Sequence, residues 1–131
     1  MSTPILHPTL EGVLAIHEAV LDAHGGSPVL RSRELLESAL AAPQAGLSGT
    51  PLISDPIEIA AAYFFYLGRN DAFVDGSTRV ALATCLVFLS ENGLLKSEQL
   101  DGAPWESLTL EAAGGMLSRG EVTQKLRDLV S

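Results

Sequence analysis

One cysteine, Cys85, stands in 131 residues, placed between Thr84 and Leu86 in an apolar run. An internal disulfide framework is therefore excluded, in agreement with a reducing cytoplasm. Cations are also scarce: eight Lys and Arg oppose sixteen Asp and Glu, a net charge of −8. Such a chain repels a nucleic-acid backbone or an anionic membrane. Every apolar run is interrupted well before membrane-spanning length, and "MSTPILHPTLEG" has no basic segment leading into an apolar one. These absences predict a soluble, unexported cytoplasmic protein, with neither nucleic acid nor membrane as a direct partner.

Signals for several chemistries are missing too. His7, His17 and His24 have no partner spacing of the kind zinc requires, and His17 reads as a helix-face residue. Nothing points to haem or a flavin. Counted from Asp71, the third position is Phe73 and the twelfth is Leu82, where a calcium loop needs an oxygen ligand and a glutamate. There is no Walker P-loop, nucleophile elbow or protein-kinase signature. Cys85 reads as a small core hydrophobe rather than a nucleophile.

What is present is helical. The length and the 47% hydrophobic, 18% charged composition describe one folded domain over 1–131. Thr9 can cap a helix with Val13, Leu14, Ile16, Val20 and Leu21 at helical spacing, ended by Gly25 and Gly26. "RSRELLESALAAP" predicts a second, capped by Ser32, with Leu35, Leu36, Ala39 and Leu40 inward and Pro43 as the stop. "AGLSGTPLIS" reads as a loop. A third helix starts at Asp55 as cap, with Pro56 in the first position and Glu58 placed to complete a capping box. Its Ile59 to Leu67 stretch, like Val80 to Leu89, carries no charge, so the pair should be buried on all faces. Asn92 and Gly93 close the second of these, and "DGAPWESLTLEAAGGML" and "SRGEVTQKLRDLV" supply two further helical patterns. In the first Trp105 packs onto the bundle; the second opens with a Ser118–Glu121 capping box. The expected fold is an all-α bundle around two central buried helices.

The segment "NDAFVDGSTRVALATCLVFL" joins that central pair. A helix beginning near Gly76 and Ser77 leaves the amides of Ser77, Thr78 and Arg79 without intrahelical acceptors, in a positive helix-end field. Between Glu34 and Leu95 the only basic residues are Arg69 and Arg79, and they bracket the loop. Two uses fit this placement: an anion site, or a structural ion pair to Asp71 or Asp75, such as Arg69 with Asp71.

The residue order Asp71-Ala72-Phe73-Val74-Asp75-Gly76-Ser77-Thr78-Arg79 resembles the core motif of the Fic/Doc family, which commonly runs His-Pro-Phe-x-Asp-Gly-Asn-Lys-Arg. "VLAIHEAVLDAHGGSPVLRSRELLESALAAPQ" is similar to the N-terminal segment of the Doc (death-on-curing) branch, and "ALATCLVFLSENG" to the helix after its motif. The resemblance runs from about Val13 to the last helix. It implies a Fic-type all-α fold and descent from transferases that move a phosphoryl or nucleotidyl group from ATP, or another nucleoside triphosphate, to a protein hydroxyl. By position, Asp75 would hold Mg2+, with Gly76, Ser77, Thr78 and Arg79 around the phosphates and Phe73 as the loop anchor; Arg69 joins the phosphate set on charge alone, as the other basic residue bracketing the loop. The same resemblance implies a toxin–antitoxin module, with a Phd-like antitoxin peptide and a target in the translation machinery.

Three departures fall on working residues. Asp71 replaces the histidine that acts as general base, Ser77 the asparagine, and Thr78 the lysine. An imidazole titrates near neutrality, whereas an ordinary aspartate does so at about 3.9 and is a poor proton acceptor. Deleting a cation where phosphoryl charge must be stabilised costs on the order of a hundredfold in rate or more. Two readings stay open: a transferase of weakened or altered activity, with Asp71, Asp75 and Arg79 as its catalytic set, or a pseudoenzyme kept as a protein-binding module.

Overall fold

A computed structural model of the chain describes residues 4–96, 102–113 and 115–130. Among them are six α-helices: α1 (Leu10–His24), α2 (Arg33–Ala41), α3 (Pro56–Asn70), α4 (Ser77–Glu91), α5 (Gly102–Ala113) and α6 (Arg119–Val130). The all-α expectation holds. Asp101 and Gly114, at the edges of the fifth helical pattern, lie outside the described residues.

The helix starts follow from local chemistry. Thr9 and Ser32 accept from the amides of Gly12 (3.0 Å) and Leu35 (3.1 Å). Ser118 and Glu121 form the reciprocal capping box, with bonds of 3.1 and 3.2 Å. At the far ends, Gly25 (φ 77°) and Gly93 (φ 73°) stop α1 and α4 in backbone conformations that suit glycine.

Helix α3 is the centre. It is packed by α2, α4, α5 and α6, while α1 lies against α4. Its run Ile59, Ala60, Ala61, Ala62, Tyr63 and Phe64 is buried, and the three alanines let neighbouring helices approach closely. Trp105 and Leu108 of α5 and Val122 and Leu126 of α6 complete the core.

Four details differ from the sequence expectation. Residues 45–54, expected as a loop, contain a small antiparallel hairpin, β1 (Gly46–Leu47) with β2 (Thr50–Pro51). Ser48 (φ 51°) and Gly49 (φ 82°) turn it, the positive-φ pair that tight hairpins require. Leu35 is 39% exposed rather than inward, because α2 buries only the Leu36, Ala39 and Leu40 stripe. Helix α4 is not covered on every side: α1, α3 and α5 pack against it, and Val87 stays 39% exposed. Finally, Asp55 caps α3 through the Ile57 amide (3.0 Å), but the Glu58 carboxylate turns to Arg127 of α6 (3.7 Å) instead of back to the cap. A cation on the adjacent helix outcompetes an exposed backbone amide for it.

Arg127 also pairs with Asp55 itself, tying α6 to the start of α3. Burial pushes the Asp55 carboxyl up, but hydrogen bonds from Arg127 and the Ile57 amide outweigh it and hold the group below its usual value of 3.8. A lowered folded-state value means that Asp55 stabilises the protein above pH 3.8, and that this is lost as pH falls through the lowered value. Asp55→Ala should therefore cost about 1 kcal/mol in urea unfolding at pH 7, the usual worth of such a cap. The difference from wild type should shrink as the pH falls below 3.8.

Thr84, in the middle of α4, is fully buried, and its hydroxyl has no hydrogen-bond partner among the described residues. Thr84→Val keeps the shape and removes the unpaired group. It should raise stability by about 1 kcal/mol in the same measurement.

Candidate functional site

Three stretches form the site: the end of α3, the loop Asp71–Gly76, and the connector between α1 and α2. Asp71 ends α3 in the left-handed region (φ 49°, ψ 52°), which an aspartate tolerates better than most residues. The chain then turns inward and buries Ala72 and Phe73. Backbone bonds lash this turn to the connector: Arg31 and Ser32 amides donate to the Ala72 carbonyl (2.7 and 3.1 Å), and the Val74 amide donates to the Val29 carbonyl (3.1 Å).

His17 of α1 locks the same turn from below. Its ring stacks on Phe73, with centroids 3.9 Å apart and planes at 20°, and its Nε2 lies 2.9 Å from the Asp75 carbonyl oxygen. A carbonyl only accepts, so Nε2 carries the proton. Ser77 closes the loop: its hydroxyl accepts from the Phe73 amide (3.2 Å) and donates to the Phe73 carbonyl (3.3 Å). Gly76 takes φ 88°; a Cβ there would meet Val20 and His17 only at ordinary contact distance, so backbone conformation rather than space requires glycine.

No side chain caps α4, and its first turn closes with the Val80 amide on the Gly76 carbonyl (2.8 Å). The positive end of the α4 dipole is therefore left without a side-chain cap. The acidic residues are differently placed from the sequence expectation. Asp71 pairs with Arg31 (3.2 Å), not with Arg69, because the connector carries Arg31 alongside the loop. With both side chains about half exposed, such a pair contributes roughly 0.2–1 kcal/mol. The Asp75 carboxylate accepts from the Ser27 amide (2.8 Å), and Gly26 permits this approach: a Cβ there would fall 3.0 Å from that of Asp75.

Arg69 instead extends over the Phe65 ring, 5.6 Å from its centroid. Neither Arg69 nor Arg79 forms an ion pair among the described residues. A cleft of about 840 Å3 opens beside the loop, its lining including Arg69, Asp71 and Thr78 together with Ser118, Arg119 and Glu121. Asp75, Gly76, Ser77 and Arg79 are outside its lining. The Ser77 side chain is buried in the loop rather than solvent-reaching, so only its backbone is placed to meet an anion.

A profile described as the Fic/DOC family matches residues 7–89, which contain the loop, the connector and His17 but not the α5–α6 side of the cleft. The chain belongs to the Fic/Doc family. It is 31% identical over 123 residues to "Protein kinase doc" of Escherichia phage P1, covering 94% of each chain. It is 37% identical over 91 residues to "Toxin Doc" of Mycolicibacterium smegmatis, covering 70% of each. These relatives make it a Doc-like member of the toxin family.

Sequence reasoning missed three residues of this Fic/Doc site. His17, Ser27 and Arg31 reach the loop from 40 to 58 positions away, and no spacing rule links them to it. His17→Ala removes the ring from Phe73 and the bond to Asp75, and should cost about 3 kcal/mol in denaturant unfolding. His17→Phe restores the stack alone and should recover most of that loss.

Proposed function

We propose that this Doc-like protein binds a nucleoside triphosphate at the head of α4 and transfers its phosphoryl or nucleotidyl group weakly to a protein hydroxyl. The observation that carries the reading is the uncapped start of α4 beside a cleft lined by Arg69, Asp71 and Thr78. Amides of Ser77, Thr78 and Arg79 would receive the phosphates, with Arg79 and Arg69 adding charge.

The acidic residues fit magnesium only in one manner. Among the described residues no group of three His, Cys, Asp or Glu could hold a metal ion, so an all-protein site is not supported. Asp75 keeps one carboxylate oxygen beyond its bond to Ser27, which suits Mg2+ arriving on the nucleotide with most of its waters. Bound there, the ion would neutralise phosphate charge. Asp71 stands at the family's proton-acceptor position, at the cleft, and must part from Arg31 before it can take a hydroxyl proton. A carboxylate in place of the imidazole, with threonine in the lysine position, accounts for weakened transfer.

The toxin relatives support a toxin–antitoxin setting with an antitoxin partner; a Phd-like peptide in that role and a translation-machinery protein as target are part of the proposal. No described helix is long and apolar enough to cross a membrane, which agrees with action in the cytoplasm. The Asp71–Arg31 pair also favours a second reading, a pseudoenzyme that keeps the fold as a protein-binding module.

The test is transfer from α- or γ-labelled ATP to lysate proteins. Asp71→His with Thr78→Lys restores the base and the cation and should transfer on the order of a hundredfold faster than wild type. Arg79→Ala should lower the rate, and Asp71→Ala should abolish the residual activity. Ser77 is left alone, because its hydroxyl closes the loop. Folded but silent variants throughout would leave the binding role as the better account.

A further inference from the structure

Arg31 has no place in the reading above except as the partner of Asp71, yet its setting is that of a ligand-binding group. Its backbone is fixed: the Arg31 amide donates to the Ala72 carbonyl at 2.7 Å, so the root of the side chain is part of the loop's own hydrogen-bond frame. Its guanidinium is half exposed and reaches, at 3.2 Å, a carboxylate that lines the cleft. The neighbouring Arg33 is not equivalent, since it pairs along its own helix with Glu37 (2.8 Å).

Charge makes this arrangement informative. The pair neutralises the Asp71 carboxylate in the free protein, and in a chain of net charge −8 the cleft itself is lined, among the described residues, by only two arginines, Arg69 and Arg119. Thr78 provides no cation. We infer that Arg31 is a phosphate-contacting residue of this site, holding the Asp71 carboxylate in the free protein and exchanging it for phosphate oxygens when a polyphosphate enters the cleft. The inference rests on the nucleotide site proposed above. An exposed ion pair is weak and screened, so its partner is given up easily. A guanidinium presents a planar fork that matches phosphate oxygens in pairs, and a triphosphate carries more charge than the single carboxylate it displaces. Arg31 thereby supplies, from the connector, the cation that the α4 position lacks.

Calorimetric titration with two probes, ATP and inorganic tripolyphosphate, each with magnesium, tests the exchange. Arg31→Ala should weaken both by about tenfold, the worth of a lost charged hydrogen bond, and flatten the salt dependence. Arg31→Lys should fall between it and wild type. Adding Thr78→Lys to Arg31→Ala should recover most of the affinity, whereas a purely structural pair would not be rescued from α4. Asp71→Asn, which frees the guanidinium, should tighten both probes several-fold. Wild-type binding with no change in folded Arg31→Ala overturns the inference while leaving the nucleotide site standing, and so does equal weakening by Asp71→Asn and Arg31→Ala. If wild type binds neither probe, the nucleotide site fails and the exchange fails with it.

Discussion

The burial of Phe73 is the constraint on which the site depends. The loop between the two apolar helices carries an aspartate at each side of its apolar centre, and its third residue is pulled into the core and stacked on His17. With that ring fixed, the backbone on either side has few choices. Ala72 and Val74 pair with the connector, Ser77 bonds back to Phe73, and Gly76 takes the positive φ that turns the chain into α4. Dispersion contacts of an aromatic ring thus set the position of the amides that the proposed function assigns to phosphate.

Rigid surroundings matter to the proposed chemistry because the chain is short of cations. Few cations are available, and electrostatic stabilisation acts only where the dipoles and charges are already oriented. The α1–α2 connector helps to provide that orientation by strapping the loop from the outside, as His17 does from the inside. It also brings two groups to the acidic residues: the Ser27 amide to Asp75 and the Arg31 guanidinium to Asp71. The altered motif is therefore not an unsupported remnant. Each aspartate has a specific partner, drawn from the same eight-residue stretch of chain.

The helical plan was legible because it is written locally. Caps at Thr9, Ser32, Asp55 and Ser118 act within three residues, and the uncharged runs in α3 and α4 demand burial whatever surrounds them. Failures arose where a distant group decided the outcome. Glu58 left its cap for Arg127, 69 residues on, and Val87 stayed exposed because no described helix packs over it. Ser77 is the instructive case: its place at the start of α4 was readable, but the inward turn of its hydroxyl depends on where Phe73 is anchored.

By itself, then, the sequence determined the helix content, the two apolar segments at the centre, the family and the identity of the motif residues. These rest on local periodicity, capping and residue order. Only tertiary structure decided that Asp71 would face Arg31 rather than Arg69, that Asp75 would be held by Ser27, and that His17 would carry the loop. Such pairings join residues 40 to 58 positions apart, and they form because the packing of α1 against α4 brings the connector and the loop to the same end of the bundle.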